Sequence, residues 1–246
     1  MSWRLAASIC AAYAVALLVL APAGMLDLGL DGVSGGRLRL LEADGSLWSG
    51  AGRLEMRTAG GRALVAQGLR WYWLPTHLTQ GRLAFELQLD YGERPFVLSL
   101  GVGQMDLTGL AVSLPAKVLG ALQAKLSPLQ LSGDVVLGVK EMAVTRAGWS
   151  GSATLHWRHA GSALTPVFPL GDYELHLLGE GAMTRIKLVT LQGPLQLDGA
   201  GSLIHEGKLA FSATARITAE FRSQLAPLMR LIAVERGDGS FEIQLG

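Results

Sequence analysis

Between Arg82 and Tyr91 the chain reads RLAFELQLDY. Leu83, Phe85, Leu87, Leu89 and Tyr91 fall on one side of an extended chain, while Arg82, Glu86, Gln88 and Asp90 take the other. Successive strand side chains point to opposite faces, so this alternation marks a half-buried β-strand. Gly92-Glu93-Arg94-Pro95 then turns the chain into Phe96–Leu100, which makes a hairpin. The same period recurs in Asp172–Leu178, in Pro194–Leu203 and in Lys208–Ile217, where Leu209, Phe211, Ala213, Ala215 and Ile217 share a face. Turn signals return about every 10 to 12 residues, the spacing of antiparallel sheet. The 32 glycines among 246 residues suit many turns, bulges and strand bends. The expected fold is mainly β.

Two stretches follow a helical period instead. Leu114–Leu126 places Val118, Leu122 and Leu126 on one side, with Pro115 suited to a first helical turn. Phe221–Val234 places Leu225, Leu228, Met229 and Ile232 together, although Pro227 is expected to break or restart that helix. Each lies at the end of a run of strands. Leu47-Trp48-Ser49-Gly50-Ala51 is echoed by Gly148-Trp149-Ser150-Gly151-Ser152-Ala153, and both copies precede an alternating strand. The reading is a curved antiparallel sheet in two repeated lobes, 27–127 and 128–246, meeting at Ser127-Pro128.

Half of the residues are hydrophobic and only 17% are charged, which excludes a disordered chain. The 21 basic and 20 acidic residues leave no electrostatic footprint for nucleic acid. Much of the apolar excess sits at the amino terminus, where no charged residue occurs from Leu5 to Leu26. A helix over 5–26 would be about 33 Å long, enough for a hydrocarbon core of about 30 Å. Arg4 precedes the run and Asp27 follows it, so the positive-inside rule puts 1–4 in the cytoplasm and the rest outside. The competing reading is a cleaved signal peptide, with Ala21-Pro22-Ala23 as the cleavage site, but the apolar run exceeds the usual length of such a segment. The single cysteine, Cys10, lies inside the run, so the exported part contains no thiol and is held by its own core.

No catalytic or metal signature stands out. His156 and His159 are three apart and would point to opposite faces of a strand. Gly148-Trp149-Ser150-Gly151 begins like a nucleophile elbow, but its fifth position is Ser152 and no strand-to-helix switch follows. Gly101-Val102-Gly103 lacks the third glycine of a dinucleotide loop, and Ser113 and Lys117 are not at Ser-Lys hydrolase spacing. A protein without catalytic residues, cofactor or metal is expected. Trp71 and Trp73 share a strand face and form either the cap of a core or a surface for a partner. Trp48 and Trp149 are expected to be core anchors, each beside a glycine.

Taken in order, these residues resemble protein N of the bacterial type II secretion pathway. Gly45-Ser46-Leu47-Trp48-Ser49-Gly50-Ala51 is similar to that family's Gly-x-hydrophobic-Trp-x-Gly segment, and Leu69-Arg70-Trp71 with Leu74-Pro75 to its next stretch. Pro169-Leu170-Gly171-Asp172-Tyr173 and Leu191-Gln192-Gly193-Pro194-Leu195 resemble its second-half segments, and Ala226-Pro227-Leu228 its terminal helix. The resemblance implies a single-pass protein of the inner membrane with a β-rich periplasmic body. It implies an accessory role in moving folded proteins across the outer membrane, near protein C and the inner-membrane platform, and carries over no catalytic residue.

The chief alternative is a membrane-anchored periplasmic lipid carrier of the AsmA-like kind, in which an apolar sheet face holds acyl chains. The two readings differ in whether the helices cover that face. A small outer-membrane barrel is disfavoured, because two helical stretches interrupt the strands.

Overall fold

Alternating side chains make strands wherever one face can be buried, and they do so along most of this chain. The computed structural model describes residues 2–58, 61–122, 128–204, 209–236 and 239–245. Helices α1 (Ser2–Val19) and α2 (Met25–Ser34) come first, then β1 (Leu38–Gly45), β2 (Ser49–Arg57), β3 (Ala63–Leu74) and β4 (Leu83–Leu89). Next come β5 (Phe96–Gly101), β6 (Gln104–Pro115), α3 (Lys117–Leu122), β7 (Leu131–Thr145) and β8 (Gly148–Ser162). β9 (Gly171–Gly181), β10 (Met183–Gln192), β11 (Leu195–Ile204) and β12 (Leu209–Ile217) follow. The last elements are α4 (Arg222–Ile232), β13 (Val234–Glu235) and β14 (Phe241–Leu245). The fold is mainly β, with fourteen antiparallel strands and few short helices among the described residues.

The chain divides into two compact units. One takes residues up to 76 with 85–90, and the other takes 77–84 with 91 onward. In the first, β1, β2 and β3 form a meander, with Leu40 opposite Leu54 and Gly50 opposite Trp71. Helix α2 is tied to β1 by a two-point ion pair, Asp27 Oδ1 and Oδ2 receiving Arg39 Nε at 3.0 Å and Nη2 at 2.8 Å. The Leu40 amide donates to the same carboxylate at 2.8 Å. The link from α1 to α2 is folded into this unit: Ala21 and Ala23 are buried, and Leu47 N donates to Ala21 O at 2.8 Å.

In the second unit the order is β5-β6-β7-β8-β9-β10-β11-β12-β14-β13. Register makes one face apolar from β6 across to β14. One row runs Val112, Leu137, Leu155, Leu175, Leu188, Gly199, Ala213, Ile243 across successive strands. The row beside it is Leu110, Val139, Ala153, Leu177, Ile186, Gly201, Phe211, Leu245. The intervening row on the opposite face is Ala111, Gly138, Thr154, His176, Lys187, Ala200, Ser212, Gln244. Helix α4 closes one end of the apolar face, where Leu225, Leu228 and Met229 pack with Leu195, Ala215, Phe241 and Leu170.

Three expectations change. The apolar run over 5–26 is not one helix: α1 ends at Val19, and no helix among the described residues is long and apolar enough to cross a membrane. Pro22 instead bridges Ser46, because backbone groups at 21–23 find partners in the β1–β2 turn. The helix expected over 114–126 is shorter at its start, since Leu114 and Pro115 continue β6 opposite Val135 and Asp134. Its end, with Leu126 and the expected boundary at Ser127, lies outside the described residues. Pro227 neither breaks nor restarts α4, which runs through it. Proline forfeits one intrahelical bond, and the burial of Leu225, Leu228 and Met229 on either side offsets that loss.

Candidate functional site

The residues singled out by sequence gather in two places, one in each unit, and both are packing sites. In the first unit, Gly45 has φ +97°, and a Cβ there would stand 2.6 Å from Ser49 O, so glycine is needed for the tight entry into β2. A Cβ at Gly50 would stand 2.5 Å from Trp71 Cζ2. Trp71 is 1% exposed, and its Nε1 donates to Ser46 O at 3.1 Å. An indole so enclosed is a core anchor, and its ring is not offered to a partner. Trp73 is half-buried against Trp48, with ring centroids 4.9 Å apart and planes tilted by 51°. Its Nε1 is buried without a hydrogen-bond partner. The glycine beside Trp48 therefore serves Trp71, and Trp48 itself is only half-buried.

In the second unit, Pro169, Gly171, Tyr173, Gly193 and Pro194 converge at one end of β9–β11. Tyr173 Oη lies 2.9 Å from Leu195 O and 3.2 Å from Leu170 O, and Leu195 N donates to Leu170 O at 3.1 Å. Burial raises the Tyr173 hydroxyl pKa well above its ordinary value, with the Asp172 charge adding to the rise. Gly193, at φ +129°, meets Gly171 so closely that a Cβ would collide with the Gly171 backbone. Pro194 O accepts from Thr218 N at 3.0 Å, which ties this corner to the entry of α4. Asp172 accepts from Gln192 Nε2 and from His159 N, both at 2.6 Å, and these bonds lower its pKa. Trp157 stands 5.9 Å from Tyr173.

The remaining candidates are not brought into a reacting geometry. His156 and His159 separate: His156 Nε2 lies 3.3 Å from Glu174 Oε1, shared with His176 Nε2 at 3.1 Å, whereas His159 sits in a bulge at φ +48°. Among the described residues no group of three His, Cys, Asp or Glu could hold a metal ion. Trp149, the second member of the Trp-Ser-Gly echo, is half-buried over Gly179 and donates from Nε1 to Thr184 Oγ1 at 2.8 Å. A cavity of ≈ 610 Å³ opens over β10–β12, bordered by Gln196, Asp198, Thr214 and Arg216 on the polar face.

What sequence reasoning missed is the continuity of the apolar face. Alternation was readable strand by strand, but only register shows that the apolar positions align from β6 across to β14 without a charged side chain, the first charge being Glu235 on β13 at the edge. Nor was α2 expected, because Gly29 and Gly32 dilute its helical pattern.

One family model matches residues 36–244, that of type II secretion system protein N. The match takes in both motif clusters and every strand but for the last residue of β14. No curated protein and no solved structure matches the chain.

Proposed function

This chain belongs to the type II secretion system protein N family, and from that premise we propose that it acts as a non-catalytic scaffold tethered to the inner membrane. Association with other components of the secretion system follows from the family. Its finer assignment, to protein C and the inner-membrane platform, is part of the proposal. The observation that carries the reading is the family match over 36–244, which takes in the whole β body. The motif residues are spent on turns, close backbone approaches and core contacts, which is what a scaffold needs and a catalyst does not.

Tethering is supported by the surface of α1. Trp3, Leu5, Ile9, Tyr13, Val15, Leu17 and Val19 are all exposed, a larger apolar surface than a soluble protein leaves to water. The reading puts these side chains in lipid, the N-terminus in the cytoplasm and the strands in the periplasm. Helix α1 has 18 residues and is about 27 Å long at 1.5 Å per residue, and its exposed apolar surface rather than its length supports the tether.

The test is photocrosslinking in cells, with a photoreactive residue at exposed positions such as Tyr72, Leu78 and Val102. Capture of a secretion component at one of them supports the scaffold. Failure to capture any such component from all three, in a strain secreting normally, overturns it.

A further inference from the structure

The apolar face of β5–β14 is closed at one end of the strands and open at the other. At the closed end Val135, Tyr173 and Leu195 are buried, and α4 with Val167 and Leu170 packs there. Between the ends the large side chains Leu137, Leu155, Leu175, Leu177, Ile186 and Leu188 stay half-buried. At the open end Leu100, Met105 and Leu203 are exposed. The large side chains between the ends thus keep part of their surface open even though smaller neighbours such as Val139 and Ala153 are buried, and α4 covers only the closed end.

The polar groups on this face identify what fits it. Each indole or hydroxyl is already bonded inside the sheet: Trp149 Nε1 to Thr184 Oγ1, Trp157 Nε1 to Ser132 O, and Tyr173 Oη with Leu170 O and Leu195 O. Thr190 Oγ1 donates to Leu197 O and receives Leu197 N. The aligned positions carry no charge. A protein partner brings polar groups that need matching at the interface, and this face has none to give. An alkyl chain needs none.

We propose that this face binds the acyl chains of a membrane phospholipid, laid along the strands with the headgroup at the open end. From Val135 to Val144 the face runs for about 30 Å at roughly 3.3 Å per residue, against about 15 Å for one leaflet of a 30 Å hydrocarbon core. The head stays in water beside the exposed Arg146 in the β7–β8 turn. The binding belongs to the sheet alone and does not depend on the secretion role.

The experiment uses the full chain in mixed micelles with a phosphatidylethanolamine carrying a diazirine in its acyl chain. After illumination, adducts are mapped by mass spectrometry. Adducts are expected on the row Leu155, Leu175, Leu188 and not on Thr154, His176, Lys187, and excess unlabelled phosphatidylethanolamine should remove them. Leu175→Asp should cut the adducts on this face roughly tenfold, since a charge there opposes alkyl contact, while adducts on α1 persist. Adducts on α1 alone would overturn the proposal and leave membrane tethering intact, whereas no adducts on α1 would count against tethering itself. Adducts spread equally over both rows, a crosslink between two copies through this face, or removal by free palmitate but not by phosphatidylethanolamine would each overturn it.

Discussion

Trp71 occupies the space that a side chain at Gly50 would need, across the β2–β3 pair where the two residues stand opposite each other. A Cβ at Gly50 would meet Trp71 Cζ2 at 2.5 Å, with Cη2 at 3.0 Å, and would come nearer still to the Asp44 carbonyl oxygen. Gly50→Ala is therefore expected to destabilise the first unit by about 1–3 kcal/mol through overpacking. Gly29→Ala is the control, because nothing lies within 4 Å of a Cβ there and the residue is in mid-helix. It should be neutral or stabilising by up to about 1 kcal/mol. Urea denaturation followed by tryptophan fluorescence separates the two. Equal stability of both variants would show that the ring and the Asp44 carbonyl can both move aside.

Tyr173 is expected to matter through its hydroxyl. Tyr173→Phe keeps the ring beside Trp157 but leaves the two carbonyls at Leu170 and Leu195 without that partner. The cost should be about 1–3 kcal/mol. The sign with pH is also fixed. A hydroxyl whose pKa rises on folding contributes stability in full below the unfolded value of about 10. That contribution is lost as pH rises towards the folded value. Wild type should therefore lose more stability than Tyr173→Phe between pH 9 and 11, as read by chemical denaturation at each pH.

Strands were legible where alternation was strong. Within RLAFELQLDY, Leu83–Leu89 form β4 with Phe85 and Leu89 buried, whereas Tyr91, expected on the same face, lies past the strand end and is exposed; the turn at 92–95 leads into β5 as its residues require. Helix ends were less legible, because Leu114 and Pro115 satisfy a strand pattern and a helix start equally well, and strand pairing decided between them. The order and spacing of the motif residues revealed the family, yet not what those residues do. Adjacency in sequence put Gly50 with Trp48, whereas pairing across strands gives it to Trp71. Trp71 and Trp73 looked equivalent at two-residue spacing, and only three-dimensional packing distinguishes the covered ring from the half-buried one.

Asp27 looked like the first charge beyond an apolar run and is the residue that fastens α2 to β1. The Arg39 guanidinium and the Leu40 amide hold its pKa below the ordinary value. A carboxylate stabilised in this way contributes fully above the unfolded value of about 3.9. It loses that contribution as pH falls through the lower, folded value. Asp27→Asn should lower stability at neutral pH and abolish this part of the acid sensitivity, since asparagine cannot titrate. Arg39 is partly exposed, so the effect should shrink as salt is raised. Thermal melts of both proteins at pH 7 and pH 3, at low and high salt, read it directly, and parallel pH curves would show that the ion pair contributes nothing.

Helix α4 sets two terms of opposite sign within three residues. Leu225 is fully buried against the end of the apolar face, and Leu225→Ala should cost about 2–5 kcal/mol through lost contact and an unfilled cavity. Pro227 is exposed and lies inside the helix, where it supplies no amide to the carbonyl four residues before it. Restoring that bond should gain more than is lost by freeing the unfolded chain, an entropic term of about 0.4–1 kcal/mol. An interior proline costs about 3 kcal/mol, so Pro227→Ala should raise stability by roughly 1–2 kcal/mol, even after some allowance for its place near the first turn. Equilibrium denaturation of the two single variants and the double variant tests this. If Pro227→Ala instead destabilises, the proline is fixing the approach of α4 to β12 and β14, and the packing at Leu225 depends on it.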